Sequence, residues 1–132
     1  MMHFPFAPAG SAIVDPAVLE QDFQNARPID AVYLGQQCLY YPGMLKLRYL
    51  PCEQIQWAYL RAEENRMSMC CGKAFVDIWY LLLYAEGRQI AKIEFQKKET
   101  AKEALAALAE SHGHMLVGYS EENKERFAAR KE

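Results

Sequence analysis

Residues 75–95 read FVDIWYLLLYAEGRQIAKIEF, and this stretch decides the fold. From Phe75 to Tyr84 apolar side chains occupy both parities, so neither side of a strand through them can face water along its whole length. The segment therefore reads as a long strand in the middle of a sheet. Glu86-Gly87 is the turn. After it Ala91, Ile93 and Phe95 alternate with Lys92, Glu94 and Gln96, the period of two that marks a half-buried strand. Two such strands around a two-residue turn predict an antiparallel hairpin.

Toward the N-terminus the same period runs back to Ile29. Val32 and Leu34 alternate, Gly35-Gln36-Gln37 reads as a turn, Leu39 and Tyr41 resume, and Pro42-Gly43 breaks the run. Leu45, Leu47 and Tyr49 then oppose Lys46 and Arg48 until Pro51, and Ile55, Trp57 and Tyr59 are expected to face inward against Gln54, Gln56 and Ala58. Glu63 to Arg66 reads as a loop of mixed charge, and Met67 to Gly72 fits either a short strand or a wide loop. Six strands emerge, with a possible seventh. None of the links between them has room for a crossover helix, so the pairing is expected to be antiparallel.

Helical spacing flanks the strands. Asp15-Pro16 is a capped start for a helix to Ala26, with Val18, Leu19, Phe23 and Ala26 on one face and Arg27-Pro28 as its stop. After Lys98, Thr100 and Glu103 match a capping box, Ala101, Ala104, Leu105 and Leu108 form a narrow apolar stripe, and Gly113 can supply a left-handed end. A short run, Met115 to Val117, leads to a last helix capped by Ser120 and anchored by Phe127. Residues 1–28 then form an N-terminal extension with a short helix, and residues 29–132 the main domain. The expected class is α+β, a curled antiparallel barrel of six or seven strands plugged by the helix near Ala101 to His112.

That order of strands and helix looks like the pleckstrin-homology superfold. The runs IQWAYL (Ile55 to Leu60), LLLYAEGRQIAKIEF (Leu81 to Phe95) and HMLVGYSEENKERF (His114 to Phe127) resemble small bacterial proteins of pleckstrin-homology-like type whose function is unknown. The resemblance implies recognition of lipid, peptide or protein, by sites that differ from member to member. Phosphoinositide-binding members carry Lys and Arg around the first loop between strands. Here that loop is Gly35-Gln36-Gln37, without charge, and the nearest basic pair is Lys46 and Arg48.

A length of 132 residues accommodates one core, and 17 acidic against 15 basic side chains give a net charge of −2, which argues against a nucleic-acid binder. The apolar run from Ile78 to Ala85 is far shorter than the roughly 20 residues that span a bilayer. Met1 to Gly10 has no Lys or Arg and is broken by proline, unlike a secretory signal, so a cytoplasmic location is expected. In that compartment Cys38, Cys52, Cys70 and Cys71 are expected to be free thiols. A zinc site from Cys70, Cys71, His112 and His114 is disfavoured because adjacent cysteines rarely converge on one ion.

No catalytic, cofactor or metal residue is assigned. His112 and His114 flank a helix end, Glu63-Glu64 and Glu121-Glu122 are adjacent pairs rather than a cleft dyad, and no glycine-rich loop cradles a phosphate. The leading expectation is a non-enzymatic binding or scaffolding module that takes a protein or peptide at a sheet edge or in the groove beside the capping helix. The alternatives are a membrane-surface adaptor using Lys46 and Arg48, the weaker expectation, and a small-molecule or enzymatic site that the residues do not reveal. Apolar faces on the first and last helices suggest a homodimer.

Overall fold

A computed structural model describes residues 6–69 and 72–130, with the side chains of 65–69, 72–76 and 130 outside that description. The chain runs β1 (Phe6–Pro8), α1 (Pro16–Gln24), β2 (Arg27–Ile29), β3 (Val32–Leu34), β4 (Cys38–Pro42), β5 (Leu47–Pro51), β6 (Trp57–Met69), β7 (Gly72–Ala85), β8 (Arg88–Phe95), α2 (Lys98–Ser111), β9 (Leu116–Val117) and α3 (Glu121–Arg130). The class is α+β.

The strands do not close into one barrel. They form two sheets, ordered β1-β5-β4-β3-β2 and β8-β7-β6-β9. The break lies at Pro51, where a 3-10 turn over Cys52–Gln54 carries the chain from the first sheet to the second. Cys52 N–H donates to Gln37 O at 2.8 Å, the last bond of the β4–β5 ladder, and Ile55 N–H donates to Cys52 O at 3.1 Å, which closes the turn. Two pairings are parallel rather than antiparallel, β1 with β5 and β6 with β9. Both involve strands of two or three residues, β1 and β9, whose sequences are too short for a period to show.

β7 lies between β6 and β8, as expected, and Leu81, Leu82 and Leu83 are all fully buried. Ala91, Ile93 and Phe95 of β8 are buried and Lys92, Glu94 and Gln96 exposed, while Glu86 and Gly87 adopt φ of 55° and 76°, the left-handed pair that a tight two-residue hairpin requires. Glu63 to Arg66 is strand and not loop, because β7 templates β6 as far as the Met69–Gly72 pair. Residues 70 and 71 lie outside the described chain.

Trp57 and Tyr59 face the opposite way from the expectation. Ala58 and Leu60 pack into the central core, whereas Trp57 and Tyr59 lie on the far side of the sheet with Leu82, Leu116 and Phe127. Ile55 does belong to the central core. It precedes the strand, so its parity does not carry across to Trp57.

α2 fills the space between the two sheets. Ala101, Ala104 and Leu108 are buried there, and Leu105 is only half-buried, at the edge of the stripe. The helix begins at Lys98 rather than at a Thr100–Glu103 capping box. The segment leading into it is anchored by Asp30, from the β2–β3 turn, whose Oδ2 accepts from Gln96 N at 2.9 Å, Lys97 N at 3.3 Å and Thr100 Oγ1 at 2.6 Å. Glu103 pairs with Arg27. The helix ends at His112 without a left-handed residue, Gly113 does not have a positive φ, and the left-handed Gly118, with φ of 87°, lies beyond β9 at the turn into α3.

The two outer helices cover the outer sheet faces. Asp15 caps α1 through Oδ1, which accepts from Ala17 N at 2.8 Å, and Leu19 and Phe23 pack with Phe6, Tyr40 and Tyr49 on the first sheet. Ser120 Oγ accepts from Asn123 N at 3.0 Å to start α3, which buries Phe127 on the second. Of the apolar faces on which the homodimer expectation rested, Leu19, Phe23 and Phe127 pack within the chain while Val18 stays exposed.

Candidate functional site

On α1, the spacing that places Leu19 and Phe23 against the first sheet places Asp22 there too. A carboxylate on an apolar face must be satisfied by hydrogen bonds or be costly. Here it is saturated. Oδ1 accepts from Gln36 N at 2.9 Å and Gln37 N at 3.1 Å, and Oδ2 accepts from Cys38 N at 3.1 Å and Tyr40 Oη at 2.9 Å. The carboxylate sits against Gly35, where an added Cβ would come within 2.2 Å of Oδ2, so only glycine fits the approach. Asp22 therefore clamps the β3–β4 turn to α1.

The clamp sets the chemistry around it. Burial, then the negative charge of Asp22, pushes the Cys38 thiol up to about 12, and burial likewise lifts Cys52 to about 12. Burial and the hydrogen bond to Asp22 hold the Tyr40 phenol protonated far above its ordinary range. Neither sulfur is a nucleophile at neutral pH.

With their backbones pinned, Gln36 and Gln37 expose their amide side chains at the rim of three adjoining hollows. One of roughly 360 Å³ runs along α1 beside Val18, Gln21 and Asn25. One of roughly 300 Å³ lies between Val14, Pro51, Glu53 and His112. The third, of roughly 480 Å³, reaches along the last turn of α2 beside Arg27, Ala107 and Glu110. Together they make a groove of mixed polar and apolar lining beside the capping helix, at the end of the first sheet where β3 turns into β4.

His112 forms the wall shared by the second and third hollows. It is the C-cap of α2, its backbone N–H donating to Leu108 O at 3.0 Å. Burial lowers its pKa, and His114, with ring centroids 6.2 Å apart, lowers it further. The imidazole is thus neutral at pH 7. Its Nε2 is buried and, among the described residues, has no hydrogen-bond partner.

Lys46 and Arg48 stand elsewhere. They sit at and beside the tip of the β4–β5 hairpin, the end of the sheet away from Gln36 and Gln37. Both are exposed, and Arg48 Nη1 donates to Pro8 O at 3.2 Å. Cys70 and Cys71 lie outside the described residues. Of the groove residues, Asp22 was not singled out in the sequence, Gln36 and Gln37 were read only as an uncharged turn, and His112 was weighed for zinc and catalysis and set aside. The available signal was the acid three residues after Leu19 and next to Phe23, on the face that should be apolar.

A second surface lies on the far side of the other sheet. Trp57 Nε1 donates to Gly118 O at 2.8 Å, and the Tyr59 and Tyr84 hydroxyls are 3.0 Å apart. Tyr119 is 56% exposed although its ring stacks on Trp57, with centroids 5.9 Å apart. Tyr59, Arg61 and Tyr119 border a hollow of roughly 470 Å³.

A family model described as Domain of unknown function (DUF6709) matches residues 9–127, so the chain belongs to that family. No curated protein and no solved structure matches the chain.

Proposed function

We propose that this member of the family is a non-enzymatic recognition module of pleckstrin-homology-like type, working in the cytoplasm and holding a protein or peptide segment in the Gln36–Gln37–His112 groove. The observation that carries the reading is His112 Nε2, a buried ring nitrogen without a partner on the wall of a groove whose rim is two fixed glutamines. A buried polar atom left unpaired costs free energy, and a turn of the ring toward the groove lets a bound group recover it. Carboxamides both donate and accept, so Gln36 and Gln37 match the alternating N–H and C=O of a peptide backbone.

A non-enzymatic role is supported by the state of the reactive groups. The Asp22 carboxylate is engaged by four donors, the Cys38 thiol is pushed up to about 12, and neither is placed as a base or nucleophile. The two-sheet arrangement with α2 between the sheets is compatible with the pleckstrin-homology-like reading and supports it no further.

The test is selection of displayed random peptides on the full chain, followed by affinity measurement against Gln36→Ala/Gln37→Ala and His112→Ala. These positions are exposed or half-buried, so both variants should fold. Binding should weaken at least about tenfold in each, the loss expected of central contacts. Peptides that bind both variants as tightly as the parent would refute the groove as the site.

A further inference from the structure

We propose that the tip of the β4–β5 hairpin is a docking element for an anionic phospholipid surface. Met44 and Leu45 are each 94% exposed, more than any other large apolar side chain among the described residues. The turn that presents them is tight: Gly43 N–H donates to Lys46 O at 2.9 Å, and a Cβ at Gly43 would come within 2.5 Å of that oxygen. The two side chains are consequently held outward. Folding leaves them wet, which only an external apolar medium relieves.

The charge around the tip indicates which medium. Lys46 and Arg48 are exposed beside it, and no acidic residue occurs from Ala31 to Cys52. Because β3 runs antiparallel to β4, the β2–β3 turn lies at this same end of the sheet. Asp30 in that turn binds Gln96 N and Lys97 N, which brings Lys97 and Lys98 to the same end. Acids share that end farther from the tip: Asp30, whose carboxylate accepts three hydrogen bonds, Glu99, and Asp77 with Glu64, which the Trp79–Phe95 register carries past Gln96, so the cationic excess belongs to Lys46 and Arg48 at the tip itself. The tip presents two outward apolar side chains with two cations, Lys46 and Arg48, beside them. It fits a surface whose phosphates pair with ammonium and guanidinium groups while its acyl region accepts Met44 and Leu45. The peptide groove, at the other end of the same strands, stays open when the tip is docked, so the inference goes beyond that reading and does not depend on it.

The experiment is flotation of the full chain with vesicles of phosphatidylcholine alone and with about a third phosphatidylserine, at about 0.1 M and about 1 M salt, between which the screening length falls from ~10 Å to ~3 Å. Retention is expected on the serine-lipid vesicles at low salt and should disappear at high salt. Lys46→Ala should weaken partitioning about fivefold. Met44→Ser with Leu45→Ser should weaken it at least about tenfold. Unfolding midpoints equal to the parent's will show that these exposed substitutions leave the fold intact. No retention, equal retention on phosphatidylcholine alone, or retention unaffected by the tip double variant would overturn the proposal. So would a tip variant that changes only the mass found by light scattering, which would make a second copy of the chain the occupant.

Discussion

Replacing Asp22 by Asn keeps the side chain's shape and changes one acceptor oxygen into a donor. Whichever way the amide is turned, an NH2 group then faces two of the four donors that now converge on the carboxylate. With the remaining oxygen toward the Gln36 and Gln37 amides, the NH2 meets Cys38 N–H and the Tyr40 hydroxyl, both buried. Tyr40 can rotate its proton toward Leu19 O, 3.3 Å away, but the Cys38 amide has no such alternative. One buried donor left unsatisfied costs ~1–3 kcal/mol, and the loss of charge weakens the surviving bonds, so about 2–4 kcal/mol is expected in all. Against a typical domain stability of ~5–15 kcal/mol this is a large fraction. Urea unfolding followed by tryptophan fluorescence should show the midpoint fall by about 1–2 M, taking a mid-range slope of ~2 kcal/mol per M. Tyr40→Phe removes a donor rather than the acceptor, so it should cost less, and in the double variant the two effects should not add. Native-state hydrogen exchange at the Gln36, Gln37 and Cys38 amides gives the local readout. A destabilisation of Asp22→Asn below about 1 kcal/mol, with protection of those amides unchanged, would refute the clamp.

Three further outcomes are expected. Leu108→Ala should cost about 2–5 kcal/mol because its side chain is fully buried between the sheets, while Leu105→Ala, at the half-buried edge, should cost clearly less by chemical denaturation. The lowered pKa of His112 means that the folded state binds a proton less readily than the unfolded chain. Stability should therefore be complete above the ordinary imidazole value of 6.5 and decline as pH falls below it; unfolding midpoints across pH 5 to 8 should lose that slope in His112→Gln, and an identical slope would refute it. Cys38 and Cys52, with thiols held up to about 12, should resist alkylation at pH 8 in the native chain and react promptly in denaturant, as peptide mapping by mass spectrometry will show.

What the amino-acid sequence disclosed was local. The β7–β8 hairpin announces itself because its turn and its alternation lie within twenty-one residues, and the caps at Asp15 and Ser120 act on amides two or three positions away. Asp30 shows the opposite case. It anchors the start of α2 from some seventy residues upstream and takes the Thr100 hydroxyl that a Thr100–Glu103 capping box would have used. Trp57 and Tyr59 were turned to the wrong face for a related reason. Alternation identifies an inner face only when the other face is wet, and the first residues of β6 are covered on both sides, by α2 on one and by α3 on the other.

The candidate site was hidden by the same physics. A polar residue on an apolar helix face reads as an imperfection of the stripe unless its partners are known, and the partners of Asp22 are backbone amides, which every sequence contains. The uncharged Gly35-Gln36-Gln37 loop was informative only as evidence against a phosphate site. Once Asp22 neutralises its amides, the same loop becomes a rigid pair of carboxamides facing His112 across a groove. An exposed loop normally loses much of its binding energy to ordering, and a clamp that orders it in advance removes part of that cost. Asp22→Asn should accordingly weaken selected peptides without touching them, at temperatures where the variant is still folded. If their affinity were unchanged while the loop amides exchanged freely, the groove would bind by some means other than a preformed rim.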